Sequence, residues 1–324
     1  MAVYTNVSDE QLIDFLNGYA LGAPLSFKGI AEGVENTNFL LETEQGRYIL
    51  TLYEARVDEG DLPFFLNLID HLAKAGISCP TPVPNKEGMA LGSCAGRPAA
   101  IFTFLEGMSV RRPTAHHCGR LGSTMAAFHK AGQTFQEKRQ NNFSIDGMAE
   151  FYQAIEGDIT TIAANLPALI EQEIEALQQH WPQDLPTGII HADLFPDNVF
   201  FLKEHISGLI DFYFACHDFL ILDVAICLNA WCFEPDGSFN VTKANRLLTC
   251  YDKSRPITRN ELDALPIIAR AAALRFLLTR TNDWLRPSDG ALVAKKDPQE
   301  YVRKLKFHQS IETPQSYGLR GPIK

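Results

Sequence analysis

The chain has 324 residues, 46% hydrophobic and 21% charged, enough apolar material for one large or two smaller folded units. A net charge of −10 argues against a general nucleic-acid binder or a partner of anionic membranes, both of which need basic surface, though not against a nucleotide substrate. Seven scattered cysteines, odd in number and without a CxxC pair, suggest neither a disulfide framework nor a zinc site, and fit a reducing cytoplasm.

The N-terminus, MAVYTNVSDEQL, is too polar for a signal peptide, and no apolar stretch reaches the ~20 residues that span a bilayer. Residues 8–19 predict a helix, with Ser8 as its cap and Leu12, Ile13, Phe15 and Leu16 as its apolar stripe. FKGIAEG, NTNFLLET and RYILTLYE then predict three strands, punctuated by Gly33 and by Glu44-Gln45-Gly46. Residues 62–75 predict a helix, from the spacing of Phe65, Leu66, Ile69, Leu72 and Ala73. CPTPVP breaks that pattern, and a hairpin follows around GMALGS and RPAAIFTFL.

Beyond Leu105-Glu106-Gly107 the pattern turns helical, with helices predicted over 114–131, 148–162, 169–180, 222–231, 243–251, 261–284 and 298–308. A short β interlude, GIIHADLFPDNVFFL and SGLIDFY, interrupts them. The expectation is an α+β protein with a β-rich lobe over 1–106 and a mainly helical lobe over 107–324.

The densest chemical signal lies in the interlude. Between two apolar strands sits a loop carrying His191, Asp193, Asp197 and Asn198, and Asp211 follows the strand Gly208-Leu209-Ile210. Polar groups clustered between apolar strands need a reason. Phosphoryl transfer supplies one: a carboxylate to take the proton of an attacking hydroxyl, and oxygen ligands for magnesium beside the phosphates. Asp193 is the expected base, and Asn198 and Asp211 the expected metal ligands, brought together by the hairpin. His191 more often braces such a loop than transfers a proton.

HADLFPDN followed by IDFYFACHDFLILDVA resembles the catalytic and metal loops of the aminoglycoside phosphotransferase and choline kinase branch of the protein-kinase-like fold. The resemblance implies a two-lobed fold and ATP and Mg²⁺ as cofactors. It makes Asp223 a brace for the catalytic loop. GIAEGVENTN occupies the place of the phosphate-covering loop, which implies nucleotide contacts from Gly33, Glu35 and Asn36. Thr51 falls where most of the branch has a Lys or Arg for the phosphates, and Lys28 or Arg56 could supply that charge. Phe104, Leu105 and Glu106 sit at the hinge that would pair with adenine through backbone groups.

Almost the whole chain, through YILTLYE, FTFLEG, GIIHADLFPDN and LRFLLTRTNDWL, closely resembles the bacterial homoserine kinases of this type. That family's own pattern contains the Thr51 departure. The implied reaction is phosphorylation of L-homoserine by ATP in threonine biosynthesis. An amino acid needs partners for its two charged ends. Arg275 and Asp283, eight apart on one helix, are the first candidates, with Tyr213, Asn229 and Trp231 as a substrate wall.

Two alternatives stand beside this reading. One keeps the fold and changes the acceptor to choline, another hydroxylated amino acid or an aminoglycoside; Trp231, Trp284 and Tyr213 would be the aromatics of a choline cage. The other is a kinase-like binding module without turnover, motivated by Thr51 and weakened by the intact Asp193, Asn198 and Asp211. The expected partners are a small-molecule substrate and ATP, with no nucleic acid and no membrane. The sequence carries no sign of oligomeric state.

Overall fold

The computed structural model describes residues 5–30, 36–54, 57–286 and 296–319. Within it the chain divides into two compact units. The first runs to Gly107 and is rejoined by Ser207–Tyr213; the second takes Met108–Ile206 and the described residues from Phe214 onward.

The first unit opens with α1 (Asp9–Leu16). The Ser8 hydroxyl accepts the Gln11 N–H while the Gln11 side chain accepts the Ser8 N–H, a reciprocal cap that satisfies two orphan donors. β1 (Pro24–Gly29), β2 (Thr37–Thr43), β3 (Gly46–Leu52), α2 (Leu62–Lys74), β4 (Gly92–Cys94) and β5 (Arg97–Thr103) follow. The strands form one antiparallel sheet in the order β1-β2-β3-β5-β4. Alternation buries Thr37, Phe39, Leu41 and Thr43 of β2 and leaves their neighbours partly or fully exposed. Phe39, Leu41, Leu50, Leu52 and Ile101 meet Leu12, Leu16 and Tyr19 in one apolar cluster. Burying each large side chain contributes about 1.5–3 kcal/mol. That packing, rather than propensity, holds a helix as short as α1.

The rejoining segment is fitted closely to this unit. A Cβ at Gly208 would lie 2.7 Å from Leu105 Cδ2 and 3.1 Å from the Ser78 carbonyl oxygen, so any side chain there would make Leu105 shift, and the Leu209 N–H donates to the Ser78 carbonyl at 3.0 Å.

The second unit contains β6 (Met108–Ser109), α3 (Ala115–Gly132), α4 (Ile145–Ile159), α5 (Leu166–His180), β7 (Thr187–Ile190) and β8 (Val199–Leu202). β9 (His205–Leu209) leads out of it, and β10 (Cys216–Phe219) leads back. α6 (Leu220–Trp231), α7 (Val241–Ser254), α8 (Arg259–Leu285) and α9 (Gln299–Gln309) complete it. α3 and α7 approach so closely that a Cβ at Gly122 would sit 2.2 Å from the Leu247 carbonyl oxygen. Every residue of α6 except Ala230 is buried. Two of those buried residues, Asp223 and Asn229, are polar and must find partners inside the protein.

Two strands escape the sequence reading. β10 pairs antiparallel with β7, Cys216 opposite Ile190, and β6 pairs with β8, Met108 opposite Phe201. Both are too short for a periodic signal, and their partners are distant in sequence. The strand expected over FKGIAEG begins earlier, at Pro24, and its last three residues lie outside the described residues.

Candidate active site

β7 ends at Ile190 and β8 begins at Val199; the eight residues between them form the loop expected to carry the chemistry. A short 3₁₀ turn, Pro196–Asn198, closes it. Ala192 adopts a left-handed conformation, φ 61°, which costs a non-glycine residue about 1–3 kcal/mol and persists only where the surroundings enforce it. Asp223 on α6 is one enforcer. Its Oδ2 accepts the His191 N–H at 2.8 Å and its Oδ1 accepts the Ala192 N–H at 2.7 Å. Arg275 on α8 is the other, with Nη1 donating to the Ala192 carbonyl at 2.6 Å. The loop is held on both sides of the strained peptide.

Asp223 is itself held. His129 Nε2 lies 3.0 Å from Asp223 Oδ2, and His129 Nδ1 lies 2.8 Å from the Tyr251 hydroxyl. Arg255 Nη1 donates to that hydroxyl at 3.1 Å and to Glu261 Oε1 at 2.8 Å. Glu261 in turn caps α8 by accepting the Thr258 N–H. The assignment of donors runs one way: Arg255 donates to the Tyr251 oxygen, Tyr251 to His129 Nδ1, and His129 Nε2–H to Asp223. Burial alone would raise the Asp223 carboxyl, but His129, His191 and the loop amides hold it below the usual carboxylate range. His129, Tyr251, Asp223 and Glu261 are all fully buried. The sequence reading found Asp223 but missed His129 and Tyr251, because a lone His and a lone Tyr on amphipathic helices carry no signal until their partner is known.

At the loop itself, Asn198 Nδ2 donates to both the Asp193 carboxylate Oδ2 and the Asp193 carbonyl, each at 2.8 Å. The amide is thereby oriented, and its Oδ1 has no hydrogen-bond partner among the described residues. His191 is fully buried, and its Nδ1 receives the Asp193 N–H at 3.3 Å. Burial and this bond to the loop fit the bracing role expected of it.

Asp211 belongs to the first unit and shares the left-handed conformation, φ 65°. Its Oδ1 is buried without a hydrogen-bond partner. Burial raises its carboxyl to about 6, and the Tyr213 N–H offsets part of that rise. A buried carboxylate oxygen with nothing to bind is the kind of hard ligand a magnesium ion takes, as is the Asn198 carbonyl oxygen. Among the described residues no three His, Cys, Asp or Glu gather at one point. Each oxygen by itself suits a cation that is otherwise held by phosphates and water.

The expected nucleotide contacts fall out unevenly. Gly33, Glu35 and Arg56 lie outside the described residues. Asn36 is buried, with Oδ1 accepting the Glu54 N–H at 3.4 Å. Thr51, opposite Asn38 in the β2–β3 register, donates its hydroxyl to Asn38 Oδ1 at 2.7 Å. Lys28 is exposed on β1 and makes no ion pair among the described residues. Phe104 and Glu106 are fixed through Arg47, which stacks 4.4 Å over the Phe104 ring and pairs with Glu106 at 3.1 Å. The backbone groups of Leu105 and Glu106 make no hydrogen bond among the described residues.

The expected substrate wall needs correction. Asn229 spends its whole side chain inside the fold: Nδ2 donates to the Ala225 and Ala269 carbonyls, both at 3.1 Å, and Oδ1 faces His308 Nε2 at 3.2 Å. Burial pushes His308 down to about 3, so it is neutral, and with its Nδ1 accepting from the Tyr317 hydroxyl its Nε2 is the donor to Asn229. Trp231 is buried, its indole N–H donating to the Leu194 carbonyl at 2.7 Å. Arg275 is only 3% exposed, enclosed by the Phe143, Phe214 and Phe276 rings, and engaged with the catalytic loop. Asn229 and Arg275 hold the site together rather than face an acceptor, and the polar atom of Trp231 is committed to Leu194. Asp283 is exposed near the end of α8, and Tyr213 stands edge-on to Tyr53 and Phe65, its hydroxyl 3.2 Å from that of Tyr53.

Comparison with known proteins gives the family. The phosphotransferase enzyme family matches residues 26–257. A homoserine kinase of Xanthobacter autotrophicus is 57% identical over 98% of this chain and 99% of its own length. That of Rhizobium meliloti is 55% identical over 99% and 98%. Among solved structures, the amicoumacin kinase hAmiN superposes with a TM-score of 0.70 at 16% identity, covering 95% of each chain. The microcompartment-associated aminopropanol kinase gives 0.68 at 17%, covering 97% of this chain and 99% of the other. At such low identity these two speak for the fold alone: a β-rich unit and a helical unit of the protein-kinase-like kind. The chain belongs to the phosphotransferase enzyme family and, within it, to the homoserine kinases.

Proposed function

We propose that this protein transfers the γ-phosphoryl group of ATP to the side-chain hydroxyl of L-homoserine, giving ADP and O-phospho-L-homoserine, a step of threonine biosynthesis. The observation that carries the reading is the loop of Asp193. It is strained at Ala192, pinned by Asp223 and Arg275, and presents a carboxylate oriented by Asn198. The family relationship over the full chain supplies the acceptor.

Asp193 accepts the hydroxyl proton as the oxygen forms its bond to phosphorus and the bond from phosphorus to the ADP oxygen breaks. Asn198 Oδ1 and the buried Asp211 carboxylate would hold magnesium, which when bound neutralises charge on the phosphates. The unbonded backbone groups of Leu105 and Glu106 suit an adenine edge, whereas Asn36 and Thr51 are buried and act on the nucleotide only through the strands they brace. Thr51 brings no charge, so the positive charge facing the phosphates has to come from the metal and from a basic residue elsewhere, such as Lys28 or Arg56.

The test is ADP release with Mg-ATP and L-homoserine, set beside choline, L-serine, L-threonine and an aminoglycoside. Homoserine should be turned over in strong preference. Asp193→Asn should lower kcat by about 10²–10⁴ while KM for ATP stays within a few-fold. Turnover of another acceptor in preference to homoserine would overturn the substrate, and full activity of Asp193→Asn would overturn the base.

A further inference from the structure

The second unit holds a cavity of about 600 Å³, lined by five basic and three acidic side chains in a chain of net charge −10. Its size lies within the about 300–1,000 Å³ usual for small-molecule sites. Two of the basic groups are neutralised in place. Lys243 Nζ lies 2.7 Å from Glu234 Oε1, and Lys304 Nζ lies 2.5 Å from Glu300 Oε1. Arg111, Arg112 and Arg303 form no ion pair among the described residues. The remaining acid, Asp297, accepts the Gln299 N–H at the start of α9. Three guanidiniums thus face one cavity with a single acid to balance them. Such an arrangement gains most from a bound anion, and a flat two-oxygen head matches the guanidinium fork.

The cavity is also joined to the chemistry. Trp231 and Pro196 are part of its wall. Trp231 donates its indole N–H to the carbonyl of Leu194, the residue after the expected base, and Pro196 opens the turn that ends in Asn198. A ligand in the cavity therefore rests against the catalytic loop itself. Glu234, whose side chain is 34% exposed beside Lys243, offers a carboxylate to a cationic group on the same ligand. Opposite charges lining one cavity, with two cations in surplus, describe the recognition of a small zwitterion by its acid end first.

We propose that this cavity recognises the carboxylate of the α-amino-acid acceptor, with Arg111, Arg112 and Arg303 as the residues that set specificity. The inference rests on the amino-acid kinase reading above. It departs from the expectation that Arg275 takes this role, since Arg275 is spent on Ala192.

All three arginines are exposed, so neutral replacements leave the fold intact. The experiment compares wild type, the double variant Arg111→Gln/Arg112→Gln, and Arg303→Gln. Two acceptors are used: L-homoserine and 3-aminopropan-1-ol, which is the same molecule without its carboxylate. Wild type should prefer homoserine. The variants should raise KM for homoserine about tenfold or more, the usual effect of losing a charged hydrogen bond. They should leave KM for ATP, and turnover of the amino alcohol, unchanged, so that the preference collapses.

An unchanged KM for homoserine in both variants would overturn the inference. So would an equal rise for the two acceptors, or a rise in KM for ATP. Loss of inhibition by another amino acid, with homoserine kinetics intact, would make the cavity an effector site and equally overturn it. Absence of homoserine turnover in wild type would instead overturn the function proposed above, which keeps the two failures distinct.

Discussion

The loop of Asp193 and the segment of Asp211 are both left-handed at a non-glycine residue, yet they treat their polar groups in opposite ways. Around Asp193 the partners come from the protein: Asp223 takes the amides of His191 and Ala192, Arg275 takes the carbonyl of Ala192, and Asn198 takes the carboxylate. At Asp211 one carboxylate oxygen is buried with nothing to bind. The first arrangement positions a reacting group before any ligand arrives, which is where preorganisation is gained. The second stores a cost that only a cation removes. A base must be aimed in advance, whereas a metal ligand can wait for its metal.

The comparison breaks most severely at Asp223. Replacing it by alanine strands two loop amides and His129 in a dry interior, for about 3–5 kcal/mol of stability. It also frees Ala192 to relax, so kcat should fall while KM for ATP changes little. Urea unfolding and steady-state kinetics on Asp223→Ala measure both. A variant that loses neither stability nor kcat would mean that the loop is held by something else.

The Asp211 side is sharpened by pH. Its folded carboxyl titrates at about 6, raised above the unfolded value of about 4 chiefly by burial. A raised acid contributes stability that is fully present below the unfolded value and is lost as pH rises through the folded one. Nucleotide-free protein should therefore lose stability between about pH 4 and 6, relative to Asp211→Asn, and Mg-ADP should restore more of it above pH 6 than below. Denaturation midpoints of the two proteins across that window give the answer. Parallel profiles would remove Asp211 from the account.

Much of this was legible in the residues. The loop HADLFPDN, with Asp211 after the next strand, pointed to phosphoryl transfer because those groups make sense together only beside a phosphate and a metal. Helices such as α2 and α7 were legible because their apolar stripes are local. What was not legible depends on partners far away in sequence: β10 needs β7, and His129 needs Asp223. Asn229 looked like a wall residue because sequence shows polarity but not that all its polar atoms are already used within the fold. The same limit concealed Arg111, Arg112 and Arg303, whose significance lies in lacking partners where Lys243 and Lys304 have them.

The smallest expected effect concerns how far the brace extends beyond Asp223. Tyr251→Phe keeps the ring that packs between α3 and α7 but removes the hydroxyl that donates to His129 Nδ1 and accepts from Arg255. The expected loss of stability is about 1 kcal/mol, the net worth of an ordinary hydrogen bond. Its kinetic signature separates two roles. If the hydroxyl only packs the helices, kcat is untouched. If it fixes the Nε2–H tautomer of His129 that Asp223 needs, kcat falls a few-fold at constant KM. The same reasoning makes His129→Gln, whose amide can still donate to Asp223, retain more activity than His129→Ala. Equal activity of those two variants would end the relay at Asp223 and leave His129 and Tyr251 as packing alone.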